Sequence, residues 1–285
     1  MKSTLKIFSL ACLLGTLGFA SCSKEDSLGE TRIDLTPERK TELDNWIDKN
    51  YLETYNMQVF YRWDQYKVDM NRYLTPPRVD RVQPTLEVVK AIWLDSYEKI
   101  AGEMFVKETA AKELVLVGSV NSNTNGTVTL GVAEQGVRIS LFELNKLDTK
   151  NRSQVEQFIH TIQHEYVHIL NMKWPFDEGA FLKITPGSYR ADWQNASNAE
   201  ANSLGFISAY SRSAPGEDFA EMVATMLQDV EKYNAMVDAI PSEFGRSKIR
   251  EKEAYAVSYY KNSMGIDLYE LCKIAKSQTD MVVNK

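Results

Sequence analysis

His164-Glu165-Tyr166-Val167-His168 spaces two imidazoles four residues apart, with a carboxylate beside the first. On a helix, residues four apart share one face. Two neutral imidazoles so placed can grip one Zn²⁺ while the adjacent glutamate handles a proton. The chain holds three histidines, and the third, His160, lies one turn further back on the same stripe. His160 is two turns from His168, about 12 Å along the axis. Metal–nitrogen bonds are about 2 Å, so one ion cannot bridge that span. His160 therefore reads as a core or surface histidine, and a third protein ligand must be of another residue type.

That ligand is expected to be a carboxylate, as in His₂Glu zinc sites. The candidates are Glu178, Glu200, Glu217, Asp218 and Glu221. Glu178 follows the histidine run closely and would need a sharp return. Glu200, in Asn198-Ala199-Glu200, resembles the Asn-Glu pair of thermolysin-like enzymes without its adjacency. Glu217-Asp218-Phe219-Ala220-Glu221 fits best. It opens an amphipathic stretch in which Glu217 and Glu221 share a face, one turn apart. Such a helix can lie against the histidine helix, with Glu217 toward the metal and Glu221 behind it.

The elements that must hold these groups are legible around them. Ser153-Gln154-Val155-Glu156 has the form of a capping box. The helix it opens carries Val155, Phe158, Ile159, Ile162 and Ile169, and Trp174-Pro175 stops it. Three strand-like stretches precede it, at 114–120, 127–133 and 137–144, with turns at 123–126 and 134–136. They read as an antiparallel meander whose last strand offers an edge to an extended peptide. Further upstream, Thr36-Pro37 reads as a helix start, 57–63 as a strand and 85–101 as a helix. Downstream, helices are expected over 198–209, from Glu217, and as two more between 246 and 275. Cys272 lies on an apolar face and reads as a core thiol.

The N-terminus is expected to be a targeting segment. Lys2 and Lys6 precede an apolar stretch at 7–17, too short to span a bilayer. Ala20-Ser21-Cys22 follows, a pattern that resembles a bacterial lipoprotein signal with Cys22 as the lipid-bearing residue. Ser23-Lys24-Glu25-Asp26 resembles the surface-export tag of Bacteroidetes lipoproteins. Residues 1–21 are thus assigned to the signal, 22–34 to a flexible tether, and 35–285 to one catalytic domain with a helical part from about 198. Removing 1–21 takes two lysines and no acid, leaving 31 basic against 39 acidic side chains, a net charge of −8. That balance argues against nucleic acid as a partner, since phosphate binding needs a basic face. With Cys12 in the signal and Cys22 lipidated, Cys272 has no intramolecular partner.

On the residues just quoted, the chain resembles the gluzincins, among them anthrax lethal factor and the clostridial Pro-Pro endopeptidases. The likeness rests on H-E-x-x-H followed by the E-x-F-A-E form of residues 217–221. The whole arrangement is similar to the zinc-binding metallopeptidase lipoproteins of Bacteroidetes, described as substrate-import-associated zinc metallohydrolases. The resemblance is specific over about 150–230. It implies an α+β, zincin-like fold: a small antiparallel sheet, then a zinc-binding helix, then a mainly helical C-terminal part. It implies Glu217 as zinc ligand with His164 and His168, and Tyr210, seven residues before it, as a hydrogen-bond donor to the substrate carbonyl. Asp218 stands where lethal factor has Phe, so it stays an alternative ligand. Glu221 is expected to orient a histidine from behind.

The chemistry expected of such a site is peptide hydrolysis. Zinc lowers the pKa of a water in its fourth position to about 7, and Glu165 acts as general base. Peptide or protein substrates, a membrane reached through the Cys22 lipid, and a TonB-dependent nutrient-uptake complex of the outer membrane are the implied partners. The competing reading is a non-catalytic surface component of such an uptake system.

Overall fold

The computed structural model describes residues 39–285 except 125 and 135. The signal segment, Cys22, the whole tether at 22–34 and the Thr36-Pro37 helix start lie outside the described residues. The chain divides between Lys40 and Thr41, and the helices and strands named below all belong to the unit from Thr41 to Lys285.

Helix α1 covers 42–55. Thr41 caps it reciprocally: its hydroxyl accepts from the Asp44 amide at 3.2 Å, and the Asp44 carboxylate accepts from Thr41 N at 2.7 Å. Two of the bare amides at a helix start are thereby satisfied. The helix runs as Glu42–Ile47, a π-helical turn Asp48–Leu52 and a last turn Glu53–Tyr55. Strand β1 (Gln58–Phe60) comes next and is shorter than expected. Helix α2 covers 79–101, again with a π-helical turn (Lys90–Leu94) inside it. It begins ahead of the expected Thr85 and contains Pro84. Its start is held from a distance, since the Asn145 side chain accepts from Arg78 N at 2.7 Å. Helix α3 (Glu103–Thr109) completes this N-terminal layer.

Strands β2 (Glu113–Leu116), β3 (Asn121–Ser122), β4 (Val128–Thr129), β5 (Gly131–Glu134) and β6 (Arg138–Leu141) come after it. The main sheet has the order β1-β2-β6-β5, and β3 and β4 form a separate ribbon. The expected antiparallel meander is corrected here, because the sheet is mixed. The β1–β2 and β2–β6 pairs are parallel, and only β5–β6 is antiparallel. After β2 the chain detours through the ribbon and enters β5 first, so the β5–β6 hairpin returns β6 alongside β2 in the same direction. The edge strand beside the histidine helix is therefore β5, whereas β6, the strand expected to offer an edge, is internal.

Alternation along the strands sorts two cores. Leu114, Leu116, Ile139 and Leu141 face the main core, while Val115, Val117 and Phe142 join Val68, Leu74 and Val132 on the other side. Val132 thus leaves the small residues Gly131 and Ala133 facing the histidine helix. A Cβ on Gly131 would sit 2.5 Å from Thr161 Cγ2. Glycine here lets strand and helix touch backbone to side chain.

The histidine helix is α4 (Arg152–Lys173). Its cap is Asn151, whose side chain accepts from Gln154 N at 3.2 Å, two residues ahead of the expected Ser153. Tyr166, inside the H-E-x-x-H run, is wholly buried and edge-on to Trp93 at 5.1 Å and Tyr97 at 4.8 Å. Its hydroxyl bonds Thr109. With Val155, Ile159, Ile162, Val167 and Leu170 also buried, the roll of α4 is set from this side.

Helices α5 (Glu178–Leu182), α6 (Asn198–Ser203), α7 (Pro215–Gln228), α8 (Val230–Asp238), α9 (Glu243–Met264) and α10 (Leu268–Val283) make up the C-terminal part. Helix α6 stops short of the expected 209 because the chain turns through Gly205 at φ +92°. Helix α7 lies along α4 and buries Phe219, Met222, Val223 and Met226. Burying a side chain of this kind is worth about 1.5–3 kcal/mol, against about 1 kcal/mol for a net hydrogen bond. Apolar packing therefore sets where α7 sits, and the polar groups on its free face are carried with it. Cys272 is fully buried in α10, as its apolar setting suggested.

Candidate metal centre

Two helices meet with their polar stripes facing each other. Helix α4 presents His160, His164 and His168 at successive turns, and α7 presents Glu217 and Glu221. The helices run in opposite senses here, so rising numbers on α7 meet falling numbers on α4. His164 Nε2 and His168 Nε2 lie 3.1 Å apart, and Glu217 Oε2 lies 2.9 Å from the first and 3.3 Å from the second. Zinc bonds of about 2.0–2.1 Å at tetrahedral angles hold ligand atoms about 3.3–3.4 Å apart. The three donor atoms thus already stand at nearly that separation.

The other ring nitrogen of His164 explains why these atoms tolerate one another. His164 Nδ1 is 3.2 Å from Glu221 Oε2. A carboxylate there favours the Nδ1–H tautomer and leaves a lone pair on Nε2. That lone pair, His168 Nε2 and a carboxylate oxygen converge on a point that suits a cation. The charges agree. Burial works against protonation of His164, yet its bonds to Glu217 and Glu221 hold its pKa up to about 9. Burial likewise opposes ionisation of Glu217 and Glu221, and the facing histidines hold both carboxyls well below the usual range. A field that stabilises a proton on His164 also stabilises a metal dication.

Glu165 points along a different direction of α4, toward the sheet. Its Oε2 accepts from Ala133 N of the edge strand β5 at 2.8 Å. Burial, foremost, raises its pKa above the ordinary glutamate range, despite the neighbouring histidines. Tyr210 enters from the other side, in the 3₁₀ turn Tyr210–Arg212. Its hydroxyl donates to Glu217 Oε2 at 2.8 Å, its ring lies 5.9 Å from that of His164, and Trp193 packs edge-on against it at 4.9 Å. Burial and the Glu217 charge push its pKa far above that of an ordinary phenol.

The alternative ligands point elsewhere. Asp218 turns into the protein body, where its Oδ2 meets Lys252 Nζ at 2.6 Å and accepts from Tyr189 at 2.8 Å. One helical residue is about 100° of rotation, which separates it from the face that carries Glu217. Glu200 is engaged by Arg212 at 2.6 Å and Arg190 at 3.6 Å. Glu178 opens α5 and is exposed.

Three participants escaped the sequence reading. His160, expected to be a core or surface side chain, has its Nε2 3.1 Å from Glu221 Oε2. Ser208 donates to Glu221 Oε1 at 3.2 Å. The third is the Ala133 amide. The 160/164 and 217/221 spacings together carried a signal for the first. Nothing local marked the other two, because both depend on where a loop and an edge strand come to lie.

The described residues thus contain two groups able to hold a metal ion, His164–His168–Glu217 and His160–His164–Glu221. Along the stripe of α4 that carries Glu165, from Thr161 back to Gln154, lies a cavity of about 220 Å³. Leu130, Phe142, Leu147 and Phe158 form the apolar part of its lining, and Glu143, Lys146, Gln154, Gln157 and Thr161 the polar part.

Residues 36–269 match a family described as putative zinc-binding metallo-peptidase. Among solved structures, the chain is similar to a putative zinc-binding metallo-peptidase from Bacteroides caccae ATCC 43185, known from a crystal structure at 2.10 Å resolution. The identity is 31%, the TM-score is 0.74, and the match covers 90% of this chain and 98% of that one. No curated protein matches the sequence.

Proposed function

The chain belongs to the family of putative zinc-binding metallo-peptidases, and on that footing we propose that it is a zinc metallopeptidase of the gluzincin type. Its cofactor is zinc, with His164, His168 and Glu217 as the ligands in this reading. The observation that carries the proposal is the convergence of the three donor atoms within 3.3 Å of one another, with Glu165 held beside them by the Ala133 amide.

When bound, zinc supplies Lewis acidity, polarising a carbonyl and acidifying a water. Glu165 takes a proton from the attacking water and returns it to the departing amine. A carboxylate whose pKa is raised by burial is the stronger base and takes the proton from water at smaller cost. Tyr210 exchanges its bond to Glu217 for one to the scissile carbonyl oxygen as charge grows there. Glu221, bonded by His160 and Ser208, holds the His164 ring in place. The edge strand β5 offers main-chain groups to an extended peptide. The cavity of about 220 Å³ exceeds the roughly 150 Å³ that accommodates benzene in an apolar protein void, so it has room for a bulky substrate side chain, with Phe142, Leu147 and Phe158 to meet its apolar part.

The N-terminal pattern extends the proposal to location. A lipid on Cys22 would hold the enzyme on the exterior of the outer membrane, where it would serve a nutrient-uptake complex.

Zinc content and hydrolysis of a broad peptide library, measured for wild type and Glu165→Ala, test the reading. Retained metal with activity lost in the variant is the expected result. A wild type without zinc, or an equally active variant, would sink it.

A further inference from the structure

Lys252 and Asp218 form an ion pair in which both side chains are 0% exposed, with Nζ 2.6 Å from Oδ2. Nζ also donates to the Gly205 carbonyl at 2.8 Å and lies 3.6 Å from the centre of the Phe206 ring. Asp218 is next to Glu217 in the first turn of α7. Gly205 begins the segment that ends in Tyr210. One ammonium on α9 therefore holds the two pieces of chain that bring Glu217 and Tyr210 to the centre.

The surroundings are built for this contact. Gly205 passes so close to α9 that a Cβ there would stand 2.4 Å from Lys248 Cβ. Only glycine lets its carbonyl reach Lys252 at φ +92°. The Asn202 side chain then donates to Phe206 O and Ile207 O, at 2.8 and 2.9 Å, and Asn198 accepts from Ala209 N at 2.8 Å. The whole path from Gly205 to Tyr210 is thus pinned.

A buried ion pair is a weak stabiliser, since desolvation of two charges offsets their attraction, and apolar replacements of similar volume are often neutral or better. Asp218 Oδ1 moreover has no hydrogen-bond partner among the described residues. The arrangement favours geometry over stability. We propose that Lys252 is a positioning residue that, through Asp218 and the Gly205 carbonyl, sets Glu217 and Tyr210 against the histidine pair. This role rests on the zinc-site reading of His164, His168 and Glu217.

The test separates position from folding. In the double variant Lys252→Met/Asp218→Leu, the charges leave together and the volume is kept. The expected result is a folded protein with a cooperative melt, lowered only by the Gly205 carbonyl and Tyr189 hydroxyl that lose their partners, zinc affinity weakened about tenfold in chelator competition, and kcat lowered with KM little changed. Wild-type zinc affinity in a folded double variant overturns the proposal. If that variant does not fold, Lys252→Gln/Asp218→Asn carries the test, because both charges leave together while polar groups remain for the Gly205 carbonyl and the Tyr189 hydroxyl. Unchanged zinc affinity there also overturns the proposal, and any resolved weakening supports it. Zinc affinity is read without substrate, so a wild type that binds zinc but cleaves nothing refutes peptidase activity alone. A wild type without zinc refutes both.

Discussion

His160 Nε2 stands 3.1 Å from Glu221 Oε2, and that same oxygen stands 3.2 Å from His164 Nδ1. One carboxylate thus serves two histidines, of which one faces the metal position. Glu221→Gln removes the charge that favours the Nδ1–H tautomer. Zinc affinity should fall about 10- to 100-fold, measured by competition with a chromophoric chelator. His160→Gln removes only the outer bond and should cost less than Glu221→Gln. Equal effects would show that His160 acts by more than holding Glu221.

Tyr210→Phe deletes one hydroxyl that donates to Glu217. A single lost donor at a developing oxyanion lowers kcat by about 10²- to 10³-fold. Zinc content should stay at wild-type level, read by metal analysis of the purified protein. Lost metal with unchanged turnover per bound zinc would assign the hydroxyl to the ligand Glu217 instead of the substrate.

Phe158→Ala enlarges the cavity on the Glu165 face of α4. One methylene gained or lost in an apolar pocket changes relative kcat/KM by roughly 10- to 200-fold. The ratio for peptides with a bulky against a small apolar residue beside the scissile bond should rise. An unmoved ratio would mean that no substrate side chain enters the cavity.

Gly131→Ala would place a methyl 2.5 Å from Thr161 Cγ2. Overpacking of this kind costs about 1–3 kcal/mol, and it pushes the Ala133 amide away from Glu165. Both stability and turnover should fall. Adding Thr161→Ser deletes the opposing methyl and should restore much of each, as followed by thermal melts and peptide hydrolysis.

Glu113 ties the start of β2 to Lys67 and Arg138, each at 2.7 Å. Burial opposes its ionisation, but the two cations outweigh that and hold its pKa below the ordinary 4.5. A carboxyl lowered on folding stabilises fully above its unfolded pKa and loses that contribution as pH falls through the folded value. Urea melts should show wild type losing stability below about pH 4.5. Glu113→Gln should be less stable at pH 7 by about 1 kcal/mol and should lose less on acidification.

The parts of this centre that lie within one helix were readable in advance, because helical spacing is a local property. His164, Glu165 and His168 needed only the 3.6-residue period, and Glu217 with Glu221 the same. The sheet was misread for the opposite reason. Residues 113–116 pair in parallel with 58–60 and with 138–141, and no local pattern tells a parallel partner from an antiparallel one. Helix α2 hid its start because the group that accepts from Arg78 N is Asn145, far along the chain. The roles of Lys252 and the Ala133 amide likewise appear only once α9 and β5 have come to rest beside the site.

The facing stripes of α4 and α7 repeat, and repetition permits a counterfeit. A slip of one turn, about 5.4 Å, would gather His160 and His164 around Glu217. The donors would match the present set in type and number. Yet the residue after the first histidine would then be Thr161, which can accept no proton from water as a carboxylate does. A misregistered centre would hold zinc and be inert. Which pair of histidines meets Glu217 is therefore set by the apolar teeth that stop the two helices from sliding.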